Sequence, residues 1–171
     1  MSKVIAIDPG NTKSAYCIID ADTLRPQLFG ILENEALRKE IRAMKFEEDD
    51  GAAIEMIQSY GNLIGKDVLD TVFWIGRLYE TLRRKVYKKP QLIYRVEEKT
   101  HICHDSKAGD PNIRRALIDR FAKHDFRTGR GTLKNPDWFY GFKDDIWAAY
   151  AVGLTFIETK YKNTERSKNN E

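Results

Sequence analysis

Apolar residues recur along this chain with two different periods. Three short apolar segments, Val4–Asp8, Ser14–Asp20 and Gln27–Leu32, come first, separated by the turn-rich pieces DPGNT and DADTLRP. That pattern predicts an antiparallel meander. The first segment, VIAI, does not alternate, so its strand is expected to be buried on both faces. The period then lengthens. Leu37, Ile41 and Met44 stand at i, i+4 and i+7, which predicts a helix closed by FEEDDG. AAIEMI reads as a fourth strand. From Asp67 to about Lys85, the residues Val68, Leu69, Val72, Ile75, Tyr79 and Leu82 form the apolar stripe of a long helix. LIYRVE, after the Lys89-Pro90 break, reads as a fifth strand. GDPNIRRALIDRF opens a helix with Asp110 as N-cap and Pro111 in the first helical position, and turns Ile113, Ala116, Leu117 and Phe121 inward. RTGRGTLKNPDWFYGFK is a Gly-rich basic loop with several aromatics. A last helix opens at Asp144-Asp145 and carries Ile146, Ala149, Tyr150, Gly153, Leu154 and Ile157 along one side. The order β-β-β-α-β-α-β-α-α predicts an α/β fold, a mixed five-stranded sheet with helices on both faces. One domain is expected over residues 1–162, with a polar tail at 163–171.

Composition narrows the class. The chain has 171 residues, 42% hydrophobic and 32% charged, as an ordinary globular domain does. No apolar run approaches the roughly 20 residues that span a membrane. MSKVIAID enters a strand without a basic leader, so a cytoplasmic location is expected. Cys17 and Cys103 are too few for a disulfide framework and are expected to be free thiols. A net charge of +3 does not by itself announce a nucleic-acid partner. The charges are segregated, however. Acids gather at Glu47–Asp50; bases gather at Arg83, Arg84, Lys85, Lys88 and Lys89, and again between Arg114 and Lys134. Such a chain can present a basic face.

The candidate chemistry lies in carboxylates on buried elements. Asp8 closes the first strand. Glu55 sits inside the fourth, among Ala53, Ile54, Met56 and Ile57, where a charge is costly unless it is paired or bound to a metal. Asp144 and Asp145 begin the last helix. Three separate elements can thus bring together the hard oxygen ligands that Mg²⁺ or Mn²⁺ requires. Each acid also has a plainer reading: a turn residue, an edge-strand charge, or a helix cap.

The segments IAIDPGNTKSA, AIEMIQSYG, SKAGDPNIRRALIDRF and FKDDIWAAYAVGL, in that order between Val4 and about Ile157, resemble RuvC-type Holliday junction resolvases, and most of all the phage-encoded branch. The resemblance implies a ribonuclease-H-like fold and a homodimer that makes paired cuts in four-way or other branched DNA. It implies two Mg²⁺ or Mn²⁺ ions per site, and products with a 5′ phosphate and a 3′ hydroxyl. Asp8 matches the family's first-strand aspartate, Glu55 its fourth-strand glutamate and Asp145 the aspartate of its last helix. The family places its final two acids three residues apart. Here Phe142 stands three before Asp145, leaving Asp144 as the natural substitute. Lys107 matches a basic residue near the scissile phosphate. Lys99, Arg114, Arg115, Arg127, Arg130 and Lys134 are candidate phosphate contacts. Tyr60 is a candidate wedge against an unstacked base.

Other readings remain open on the sequence. DPGNTK also fits the first phosphate loop of an ATP-dependent small-molecule kinase of the actin and sugar-kinase type, although no second Gly-rich phosphate segment accompanies it. A branched-DNA-binding protein without cleavage would keep the same basic residues. His101–His104, HICH, lacks the second ligand pair of a structural zinc site and is expected to be a surface loop.

Overall fold

A computed structural model of the chain describes residues 2–58, 61 and 63–161. The three opening segments form β1 (Lys3–Asp8), β2 (Lys13–Asp20) and β3 (Pro26–Glu33), joined antiparallel as the turn signals predict. Then follow α1 (Asn34–Ala43), β4 (Gly51–Met56), α2 (Lys66–Arg83), β5 (Gln91–Tyr94), α3 (Arg95–Cys103), α4 (Asp110–Phe121) and α5 (Ile146–Phe156). The last helix widens into one π-helical turn at Ile157–Tyr161. The sheet order is β3-β2-β1-β4-β5, with β4 parallel to β1 and β5 parallel to β4. It is the expected mixed five-stranded sheet with helices on both faces. Among the described residues, no helix is long and apolar enough to cross a membrane.

Central position explains why VIAI does not alternate. Ile5 and Ile7 pack with Ala52 and Ile54 against Leu37 and Ile41 of α1 and Ile75, Leu78 and Leu82 of α2. Val4 and Ala6 point the other way, joining Cys17, Ile19, Ala53 and Ile93 under α4 and α5. Every residue of α5 except Ala148 is buried, so its apolar surface is not confined to one side as the pattern predicted. It lies against the sheet on one flank and against α3 and α4 on others. A helix apolar all round is a core helix.

Local chemistry moves three boundaries. The fifth strand ends at Tyr94, and RVE begins α3 instead of extending the strand. The Glu97 carboxylate accepts the Tyr94 N–H at 2.8 Å, which fixes the helix start right at the strand end. His101–Cys103 therefore belong to a helix, not a surface loop, and His104 is its left-handed C-cap at φ 55°. The N-cap of α4 is Gly109, not Asp110. Asn112 Oδ1 accepts the Gly109 N–H at 2.9 Å, while the Asp110 carboxylate pairs with Arg95. Asp145 is the N-cap of α5, and Asp144 precedes it in the left-handed region at φ 43°.

Gly153 lets α5 lie flush on the sheet. A Cβ there would stand 2.8 Å from the Ala6 Cβ and 2.5 Å from Ile19 Cδ1. Ile19 can rotate away, but Ala6 cannot. Gly153→Ala should destabilise the protein by about 1–3 kcal/mol despite the better helix propensity of alanine. A urea unfolding midpoint at or above that of wild type would contradict this packing.

Candidate active site

The pairing of β1 with β4 brings the first two acids together. Ile7 stands opposite Ile54 in the parallel register. The next residues, Asp8 and Glu55, therefore meet at the C-terminal ends of adjacent strands. Alternation aims both side chains to the face occupied by Ala6 and Ala53, beneath α5. Asp145 arrives at that same end as the cap of α5. Its charge and that of Glu55 act on Asp8.

The turn after Asp8 is tied down by a buried polar network. Ser14 Oγ donates to Asn34 Oδ1 at 2.6 Å and accepts the Gly10 N–H at 3.2 Å. Asn34 Nδ2 in turn donates to the Gly10 carbonyl at 2.9 Å. A Cβ on Gly10 would lie 2.3 Å from the Lys13 carbonyl oxygen, so the turn admits no side chain there.

Two further charged residues complete the cluster, both on α3 and neither singled out from the sequence. Arg95 Nη1 lies 2.9 Å from Glu98 Oε2 and 3.6 Å from Glu55 Oε2, and Arg95 Nη2 pairs with Asp110. Glu98 is 0% exposed, and among the described residues its Oε1 has no hydrogen-bond partner. The signal for them was the i, i+3 spacing of Arg95 and Glu98, legible only if the segment is read as helix.

Burial and mutual repulsion shape the protonation of this cluster. Desolvation pushes the Asp8 carboxyl well above the usual range, and the charges of Glu55 and Asp145 push it further. A hydrogen bond between Asp8 and Glu55 also favours the proton on Asp8. Glu55 is raised by desolvation, against the opposing pull of Arg95. Glu98 is raised well above its ordinary value by desolvation and then by Glu55.

The remaining candidates lie on several elements. Lys99 lines a cavity of about 250 Å³ together with Glu55, Gln58, Arg95 and Ser106, and exposed Lys107 follows Ser106 in the chain. Asp144 and Asp145 border a larger concavity of about 880 Å³, with Lys13 and Lys143 on its wall. The Arg114 guanidinium lies 4.7 Å from the Trp147 ring centroid, at the first turn of α5. Arg115 is engaged within the protein, bonding Asp119 and the Phe126 carbonyl oxygen. Arg127, Arg130 and Lys134 lie on the loop between α4 and α5. Tyr60 lies outside the described residues. Phe142, at the position where the resemblance would have an acid, is buried among Phe29, Phe139, Trp147 and Tyr150. In α3, His101 Nε2 sits 2.7 Å from Glu158 Oε2.

The basic loop is held by two aspartates. Asp137 accepts the N–H groups of Lys123, His124, Asp125 and Trp138, and Asp125 accepts those of Arg127, Thr128 and Gly131. The Thr128 hydroxyl, which donates to Asp125, and then these backbone bonds hold the Asp125 carboxyl far below its usual range, and the bonds to Asp137 hold its carboxyl down against the desolvation that opposes them.

Among the described residues, no three His, Cys, Asp or Glu side chains already enclose an ion as they stand. Arg95 spans the carboxylates instead. The donor set nevertheless fits a hard divalent cation: it is all oxygen, it concentrates negative charge, and it includes a buried oxygen without a partner. Asp8, Glu55 and Asp145 are the residues that could hold it.

The raised carboxyls set a pH dependence for the metal-free protein. Folded Asp8, Glu55 and Glu98 bind protons more tightly than their unfolded counterparts, so stability falls as pH rises from about 4 through their raised values. The depressed Asp125 and Asp137 act in the opposite sense, but only below about pH 4. With a chelator present, Tm should therefore drop between about pH 5 and pH 8, and Asp8→Asn should flatten that slope. A Tm that rises over the interval would refute the buried-acid assignment.

No protein-family model matches the sequence, and a search of curated proteins finds no match. Solved structures do match. Thermus thermophilus RuvC in complex with Holliday junction substrate superposes with a TM-score of 0.65 at 14% identity, covering 95% of this chain and 96% of that one. A second Thermus thermophilus RuvC structure gives a TM-score of 0.57 at 15% identity over 95% and 97% of the two chains. The chain has the ribonuclease-H-like fold of RuvC.

Proposed function

We propose that this protein is a divalent-metal-dependent endonuclease that resolves four-way or other branched DNA by paired phosphodiester hydrolysis. The observation that carries the reading is the convergence of Asp8, Glu55 and Asp145, from β1, β4 and α5, at one end of the sheet. Its setting supports it, since the fold is shared with a RuvC that was solved on a junction substrate. Two Mg²⁺ or Mn²⁺ ions, when bound, would activate the attacking water and stabilise the leaving oxygen. The chain supplies the rest. Its three carboxylates hold the ions from rigid elements, and Lys107 offsets charge developing on the phosphate. Lys99 at the Glu55 cavity and Arg114 over Trp147 take neighbouring phosphates. Arg127, Arg130 and Lys134 extend the contact along a loop that Asp125 and Asp137 hold in shape.

Two matched cuts need two equivalent sites, and a two-fold homodimer provides them. On α2, Leu69, Val72 and Phe73 are exposed at i, i+3 and i+4, and Gly76 beside them has open space. That stripe is the surface we assign to the second copy.

Incubating the protein with a synthetic four-way junction and Mg²⁺ or Mn²⁺ tests the reading. Paired nicks near the crossover are expected, abolished by Asp8→Asn or Glu55→Gln while junction binding is retained. Cutting by Asp8→Asn at the wild-type rate would sink the assignment of the site. In sedimentation velocity the wild type should run as a dimer and Phe73→Glu as a monomer; a Phe73→Glu dimer would place the contact elsewhere.

A further inference from the structure

We infer that Glu98 is a fourth carboxylate ligand of the metal site, delivered by α3; this rests on the nuclease reading above. Glu98 is fully buried, and a carboxylate in that position is expected to have both oxygens satisfied. Only Oε2 is, by Arg95 at 2.9 Å, while Oε1 has no partner among the described residues. The same guanidinium nitrogen reaches Glu55 Oε2 at 3.6 Å, so one atom bridges Glu98 to a residue already placed in the site. The side chain is also on the correct face. α3 packs against α4 and α5, over the face to which alternation aims Asp8 and Glu55, and the charges of both act on Glu98.

A structural ion pair between Arg95 and Glu98 would explain Oε2 but not the unpartnered Oε1. It would also not explain why a third acid is buried where the charges of Asp8 and Glu55 already oppose it. A cation explains both. It would satisfy the free oxygen and supply the positive charge that a single guanidinium, shared among Glu55, Glu98 and Asp110, provides only in part. Three of the four ligands would then come from β1, β4 and α5, and the fourth from α3.

Mn²⁺ binding to the 171-residue chain without DNA, followed by the electron paramagnetic resonance of free Mn²⁺, separates these possibilities. Glu98→Gln should weaken binding by about 10-fold or more. The decisive comparison uses Arg95→Gln as background, because it removes the ion pair. Arg95→Gln/Glu98→Gln should bind Mn²⁺ at least about 10-fold more weakly than Arg95→Gln alone. If the double and single variants bind alike, Glu98 serves only Arg95 and the inference fails. This comparison also decides the matter should Glu98→Gln alone not fold, since the double variant carries no unpaired buried charge. Loss of Mn²⁺ binding in Asp8→Asn and Glu55→Gln, with Glu98→Gln like wild type, would overturn Glu98 as a ligand and leave the nuclease reading intact. Absence of Mn²⁺ binding by the wild type would overturn both.

Discussion

Parallel pairing of β1 with β4 forces two carboxylates to share one buried corner, and much of the surrounding structure answers that constraint. Neighbouring acids in a low-dielectric setting cannot both ionise cheaply, so burial and the charge of Glu55 raise the Asp8 carboxyl, and Arg95 is drawn toward Glu55. Anchoring Arg95 requires α3 to begin immediately after β5, and this in turn buries Glu98. Asp110 closes the other side of the guanidinium and so positions the start of α4. The register of one strand pair thus propagates through two helices.

The strands and most helices were legible because their apolar periods are strong and their turns carry Pro, Gly or Asn. Asp8 and Glu55 stood out for the same reason in reverse: a charge inside an apolar strand is anomalous. Glu98 was not legible. Hydrophobic periodicity identifies a helix by its apolar inner face, and α3 places a glutamate there. No breaker separates Tyr94 from Arg95, so the strand reading simply ran on into the helix. Reading the segment as extended also hid the Arg95–Glu98 spacing on which the ion pair depends.

The segment before α5 shows how packing redirects a motif. Its aromatics looked like loop residues, yet Phe139 and Phe142 are fully buried, and Tyr150 donates its hydroxyl to the Leu24 carbonyl at 2.9 Å. Those rings fasten the loop to the sheet while Asp137 gathers four backbone amides at its base. An acid at position 142 would have to sit in that aromatic cluster, unpaired and without solvent. The core takes Phe142, and Asp145 is left as the member of the acidic pair whose charge reaches Asp8 and Glu55.

The same logic decides what the DPGNT turn presents to a ligand. A phosphate loop needs free backbone amides and positive potential. Here the Gly10 amide is given to Ser14 and the Gly10 carbonyl to Asn34, so this glycine's polar groups serve the fold. What gathers at the end of β1 is a half-buried group of acids, Asp8 with Glu55, Glu98 and Asp145, beside the Arg95 guanidinium. Such a corner repels a nucleotide's phosphates as it repels those of DNA. On the nuclease reading proposed above, a polyanion would approach it only after cations had offset the local charge, so that reading requires metal to bind before DNA is cut.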